Sequence, residues 1–443
     1  MSRLAISDLD QMARFLIGTI PVIGHVTPAI PIARQLIQQG HEVCWYTGKA
    51  FQAKVEATGA TYLPMCQAND YSDPANVSEE IAAYRSQLSG LKQLQFDLKY
   101  AFIESAVGQL ADLTEILKTF PADVILADSL FLGAAWLHEK GGPVWAQFGS
   151  TIFFAQSPDV PPVGLGWQPS SAWFSRWRNR VLNKLLQTFV FREVAVYAAE
   201  TREKVGLSTP MPPVFDVVSP YLYLSNTVPS FEYPRRDLPP QFHFVGPARP
   251  VPSNQSPPEI LTQLPTDRPI VHVTQGTAST NPEDLLVPTL QALAEEKVFV
   301  IATTGNRPIE DLALDPLPRN AHVEKFIPHA ELLPHIDLMI TNGGFNGVHS
   351  ALARGIPLIT AGKTEEKPEV CARVAWSGVG LNLKTQTPKP AQIRQAVQEI
   401  LQNPQYRDRA KAMQAEIAQY DFVSRSVDLL EELARTQAPV VRS

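Results

Sequence analysis

Short apolar runs alternate with stretches whose apolar residues recur every three or four positions, first from Arg14 to Gln147 and again from Ile270 to Leu383. The short runs read as buried strands and the periodic stretches as helices. Strand, helix, strand in series joins parallel strands by right-handed crossovers, so the expected fold is α/β: two Rossmann-like, doubly wound parallel-sheet domains facing across a cleft. The first unit is representative. Arg14 to Thr19 is a strand; Ala29, Ile32, Ala33, Leu36 and Ile37 fall at helical spacing; Gly40 stops the helix, and Glu42 to Thr47 is the next strand. Strands at Thr61 to Met65, Asp123 to Asp128, Pro143 to Gln147, Tyr221 to Ser225 and Phe242 to Val245 complete the half, with a mostly helical stretch over Glu79 to Phe120 that breaks near Ser89-Gly90.

With 443 residues the chain is too long for one ordinary core. Seven prolines between Pro247 and Pro269, with little apolar periodicity, mark a link. The expected division is a first domain over 14–246, a linker over 247–269, a second domain over 270–403, and a C-terminal helix and tail over 404–443 that crosses back to the first domain. Net charge is −6, which gives no electrostatic footprint for nucleic acid. The three cysteines are far apart and suit a reducing cytoplasm. No run approaches the roughly 18 apolar residues of a spanning helix. No metal-ligand cluster is visible; Asp8-Leu9-Asp10 reads as an ordinary tail.

Three features carry candidate chemistry. From Leu338 to Leu358 an apolar run meets Asn342-Gly343-Gly344-Phe345-Asn346-Gly347, a helical pattern follows, and Gly355 closes it. Such a strand–loop–helix turn aims free N–H groups and the positive helix end at one point, where a diphosphate would fit. A Gly pair also serves close packing of helix on strand, so its neighbours must decide. His25, in the loop after the first strand, and Asp128, closing the fourth, share one sheet edge. There the carboxylate can orient an imidazole that takes a proton. Finally, Ala172 to Arg192 carries Arg176, Arg178, Arg180, Lys184 and Arg192 with no acidic residue, beside Trp173, Trp177, Val181, Leu185 and Phe189 at four-residue steps. This amphipathic helix is expected to pack its apolar side on the domain and leave a solvated cationic edge; peripheral membrane contact through 172–192 is the alternative.

Gly24-His25-Val26-Thr27-Pro28, Ala127-Asp128, Phe326-Ile327-Pro328-His329 and the Gly-Gly loop, in that order, resemble the inverting nucleotide-sugar glycosyltransferases with two Rossmann-like domains, a family that includes bacterial macrolide-type and plant secondary-metabolite enzymes. The resemblance runs from Arg14 to the C-terminal helices. It implies an acceptor-binding first domain and a donor-binding second one, His25 as general base and Asp128 as its partner. It further implies Phe326 stacked on the nucleotide base, Ile327 offering backbone groups to the base edge, and His329 completing that motif. Gly343, Gly344 and Asn346 match the diphosphate loop, Gly276 and Thr277 a second loop near the phosphates, and Glu366 the acidic residue that binds sugar hydroxyls. The donor is then a UDP- or dTDP-sugar used as co-substrate, with no resident cofactor and no metal. The acceptor is a hydroxyl of an apolar small molecule or lipid, bound by 70–99 and 148–191 with Trp167, Trp173 and Phe174.

Three positions depart from the family pattern. Asn342 stands where the family has a His that contacts phosphate, Ser350 where it has a Glu on the ribose, and Lys367 where a Gln follows the acidic sugar binder. Lys363 and Lys367 are expected to be solvated. A serine hydroxyl cannot accept from both hydroxyls of a ribose diol as a carboxylate can. These losses keep open a non-catalytic donor-binding homologue acting as an accessory partner, against which the retained His25 and Asp128 weigh. An epimerase or phosphorylase on this fold should use other acidic or phosphate-site residues, which are not found.

Overall fold

A computed structural model describes residues 12–73, 76, 78–88, 90–250, 258–276 and 281–442. Thr277, the Asp8-Leu9-Asp10 tail and residues 251–257 of the expected linker lie outside the described residues. The first domain holds β1 (Arg14–Gly18), β2 (Glu42–Thr47), β3 (Thr61–Pro64), β4 (Val124–Asp128), β5 (Val144–Gly149), β6 (Leu222–Ser225) and β7 (Phe242–Phe244). They form a seven-stranded parallel sheet in the order β3-β2-β1-β4-β5-β6-β7. The second holds β8 (Ile270–Thr274), β9 (Phe299–Thr303), β10 (Ala321–Glu324), β11 (Leu338–Thr341), β12 (Leu358–Thr360) and β13 (Gly380–Asn382), parallel in the order β10-β9-β8-β11-β12-β13. Strand order therefore reverses between β1 and β4 in one sheet and between β8 and β11 in the other. At such switch points the adjoining helices go to opposite faces, and the gap between them opens a crevice at the carboxyl ends.

Because helices cover both faces, the strands are buried along their length; Phe15 to Ile17 and Val124 to Ala127 are fully buried. Five helices carry or support the cleft residues: α1 (Ile23–Gln38), α2 (Ser175–Leu185), α3 (Phe345–Leu352), α4 (Lys367–Trp376) and α5 (Phe422–Thr436). The single C-terminal helix expected within 404–443 is two helices, interrupted after Ile417. Asp421 caps the new helix, accepting from the N–H groups of Val423 (3.2 Å) and Ser424 (3.1 Å). The break lets one segment serve two cores. Ala410, Met413 and Ile417 pack in the second domain, whereas Phe422, Val427, Leu430 and Leu433 belong to the core of the first, where α5 packs against α1, β4 and β6.

Candidate functional site

His25 lies in the first turn of α1 rather than in a loop, because the helix starts at Ile23 directly after the β1 turn. This fixes its backbone. Asp128, fully buried at the end of β4, accepts from the N–H groups of Ile20 (2.6 Å) and Leu130 (2.9 Å), and its Oδ1 lies 3.0 Å from His25 Nδ1. A carboxylate held by two amide donors can only accept from the ring, so the proton sits on Nδ1. Nε2 is then the basic nitrogen, on a side chain that lines the cleft. Ser150 Oγ also lies 2.9 Å from Nδ1 and 3.2 Å from Ser129 Oγ. Ser150 follows β5, next to β4 in the sheet; extending the expected strand from Gln147 to Gly149 would have placed it on the same edge. Ser150→Ala should leave the fold intact and lower kcat about fivefold with little change in KM, the effect of about 1 kcal/mol of lost ring positioning. Steady-state kinetics would expose an unchanged kcat.

Across the cleft, the loops after β8 and β11 meet at the second switch point, where Asn342 Nδ2 donates to the carbonyl of Gln275 (2.6 Å). The Gly pair turns out to divide its tasks. Gly343 has φ +87°, and a Cβ there would lie 2.5 Å from Cys371 Sγ on α4, so it serves packing. Gly344 is the N-cap of α3, lines the cleft, and would meet nothing closer than Asn342 Oδ1 at 3.9 Å. It leaves the first-turn N–H groups of α3 open to an anion. Gly276, also with positive φ, lines the same cleft with no atom near its absent Cβ. Asn346 joins the halves: its Nδ2 donates to the carbonyl of Gly24, one residue before His25 (3.2 Å).

Phe326 stands 55% exposed on the cleft wall, a ring face available for stacking, while the Ile327 side chain is buried. His329 opens the next helix, and burial pushes its imidazole down, keeping it neutral. Ser350 Oγ donates to the carbonyl of Asn346 (2.7 Å), so its one proton is committed within α3. Glu366 lines the cleft. Burial pushes its carboxyl up, opposed first by the neighbouring Lys367. Lys367 is not the solvated lysine expected: it is 6% exposed and pairs with Glu365, because α4 brings it under the Gly343 loop. Lys363 remains exposed. Of the described site residues, all but Asp128 and Gly343, which lie behind the surface, line one continuous cleft of about 3240 Å³. That is several times the roughly 300–1,000 Å³ of a single-ligand pocket, and leaves room for two co-substrates.

Trp173 and Phe174 do not face this cleft, and neither does Trp167; the first domain instead presents Phe96, Tyr100, Phe154, Phe191 and Phe215. A cluster invisible in the sequence ties the halves together. Arg373 of α4 donates through Nε to Glu232 (2.8 Å) and lies over the Tyr233 ring at 4.1 Å. Glu369, one turn earlier, accepts from the N–H groups of Gly164 (2.9 Å) and Gly166 (2.8 Å) in the loop that borders the cleft.

Comparison with known proteins bears on this geometry. The family described as erythromycin biosynthesis protein CIII-like, C-terminal domain, matches residues 288–433. Over 424 residues the chain is 45% identical to the 4'-demethylrebeccamycin synthase of Lentzea aerocolonigenes, spanning 95% of this chain and 99% of that one. The chain belongs to the nucleotide-sugar glycosyltransferases. The glycosyltransferase is also 30% identical over 437 residues to UDP-glycosyltransferase 2 of Phaeomoniella chlamydospora, covering 95% of each. Its fold is that of the crystal structure of the glycotransferase of kitacinnamycin, with a TM-score of 0.73 at 22% identity over 97% of this chain and 100% of that one. It is therefore a two-domain enzyme that acts on nucleotide-sugar donors, and no helix among its described residues is long and apolar enough to cross a membrane.

Proposed function

We propose that this glycosyltransferase moves a sugar from a UDP- or dTDP-sugar to a hydroxyl of an apolar small-molecule or lipid acceptor, with inversion at the anomeric carbon. The observation that carries the reading is the His25–Asp128 contact, which leaves Nε2 as a base in the cleft opposite the open end of α3. Nε2 takes the acceptor hydroxyl proton as that oxygen attacks the anomeric carbon and the bond to the diphosphate breaks. Asp128 and Ser150 hold the ring, and Asp128 stabilises the imidazolium. The leaving diphosphate gains charge, which the N–H groups of α3 and the loop at Gly276 stabilise without reorganisation. Glu366 accepts from sugar hydroxyls, Phe326 stacks on the base, and Ile327 meets the base edge. The aromatic wall from Phe96 to Phe215 fits a flat apolar acceptor.

The test is transfer by the purified protein from UDP- and dTDP-sugars to a panel of apolar alcohols and phenols, with the product anomer read by NMR coupling. Product of retained configuration would refute the single displacement, and no transfer with intact donor binding would favour an accessory role. Ser350 bears on the nucleoside. With no carboxylate toward the ribose, the 2′-hydroxyl is not demanded, and UDP and dTDP should raise the melting temperature to similar extents. Ser350→Glu should then favour UDP by about tenfold in Kd, the worth of a charge-assisted pair. Strong discrimination by the unaltered protein would contradict this.

A further inference from the structure

Helix α2 is mounted the opposite way from its sequence pattern. Ser175 and Asn179 are the buried residues of the helix, and the polar side is satisfied inward: Asn179 Nδ2 donates to the carbonyl of Pro158 (3.0 Å) and Asn183 Nδ2 to that of Ser157 (3.3 Å). The aromatic side faces out. Trp173 is 93%, Trp177 66% and Phe189 75% exposed, with Leu185 nearly half exposed, and Arg180 and Lys184 lie exposed among them. At 100° per residue, Trp177, Arg180 and Lys184 fall on one face with Leu185 at its margin, Trp173 stands exposed in the turn just before the helix, and the π-helical turn over Leu186–Val190 brings Phe189 back toward Leu185. Large aromatics are seldom this exposed unless they meet something.

We propose that this face docks the protein on the surface of an anionic lipid bilayer. The charge fits: the segment has no acidic residue from 172 to 192, on a chain of net charge −6. Two acidic groups beside the segment are already paired, Asp159 with Arg176 of α2 itself and with Arg236, and Glu193 with Lys99, which leaves Arg180 and Lys184 as the cations of the outer face. The arrangement fits lipid better than protein. A protein interface gathers apolar residues at its centre and moves charge to the rim, whereas here Arg180 and Lys184 sit between Trp177 and Leu185. A convex helix with tryptophans and cations at one depth matches the bilayer interface, where indole rings lie at headgroup level and cations meet anionic headgroups. The neighbouring Leu186, Gln187, Phe191 and Val194 line the cleft, so docking would bring the acceptor side of the cleft to the lipid.

The experiment is co-sedimentation of the full chain with phosphatidylcholine vesicles, with and without phosphatidylglycerol at half the lipid. Binding is expected to the mixed vesicles only, and to fall severalfold at 0.5 M salt. Trp173→Ala/Trp177→Ala and Arg180→Glu/Lys184→Glu should each weaken it at least about tenfold while circular dichroism and UDP-induced thermal shift stay unchanged. No binding to the mixed vesicles, or binding by both double variants as strong as by the unaltered protein, overturns the proposal. So does a self-association seen by ultracentrifugation that Trp173→Ala/Trp177→Ala abolishes without vesicle binding, which would assign the face to a second copy of the chain.

Discussion

Replacing His25 by Ala should lower transfer to the acceptor by about 10²–10⁴-fold, the usual worth of a positioned general base, while UDP and dTDP affinity stays within about twofold. The separation comes from where the side chain sits. The contact of this turn with the donor half runs through the Gly24 carbonyl that Asn346 meets, and that is backbone, unaffected by truncation of the imidazole. Asp128→Asn should cost much of the same factor for another reason. The two amide donors at Ile20 and Leu130 require acceptor oxygens, so an amide placed there turns one N–H toward an amide hydrogen or toward the ring, and the tautomer with a free Nε2 loses its support. Rates of transfer and of donor hydrolysis, measured together, decide the matter: an unchanged transfer rate in His25→Ala would remove the base mechanism.

Arg373→Met should destabilise the protein by about 3–5 kcal/mol, because it strands the Glu232 and Glu369 carboxylates in a site where both are nearly fully buried. Glu232→Gln in the same chain should recover part of that loss, since the removed charge is the one left uncompensated. The effect should also reach function. Glu369 holds the loop at Gly164 and Gly166 by its backbone, so loosening α4 releases one wall of the cleft and raises KM for the acceptor. Urea unfolding at pH 7 reads the first effect. A loss below about 1 kcal/mol would mean that the cluster is screened or relaxes, contrary to its burial.

Much of the molecule was readable along the chain. The strands from β1 to β13 fall within or beside apolar runs that periodicity alone picks out, because two-residue and 3.6-residue patterns are written in consecutive residues. His25 and Asp128 lie at the carboxyl ends of β1 and β4, and the loops at Gly276 and Asn342 at those of β8 and β11; parallel strands bring such ends to one edge of each sheet whatever the details of packing. Elsewhere the deciding force was tertiary. Helix α2 has an apolar stripe that should have faced the core, but Asn179 and Asn183 found buried carbonyls of the 157–158 turn, and the stripe was left outward. Lys367 looked like a solvated first-turn lysine, yet the close approach of α4 to Gly343 covers it and Glu365 supplies its counter-charge.

The amino-acid sequence by itself determined two parallel α/β halves, the strand-end placement of His25 and Asp128, and the open Gly-rich turn before α3, since each depends on local pattern and on the handedness of the connections. Only the tertiary structure decided that Ser150 joins the His25–Asp128 pair, that Gly343 packs while Gly344 stays open, that Arg373 pairs with Glu232 across the halves as well as with Glu369 on its own helix, and that α2 turns its tryptophans to the outside. The contacts of Ser150 with His25 and of Arg373 with Glu232 join residues more than a hundred positions apart, and the strength of them all comes from burial and geometry, neither of which a stretch of consecutive residues records.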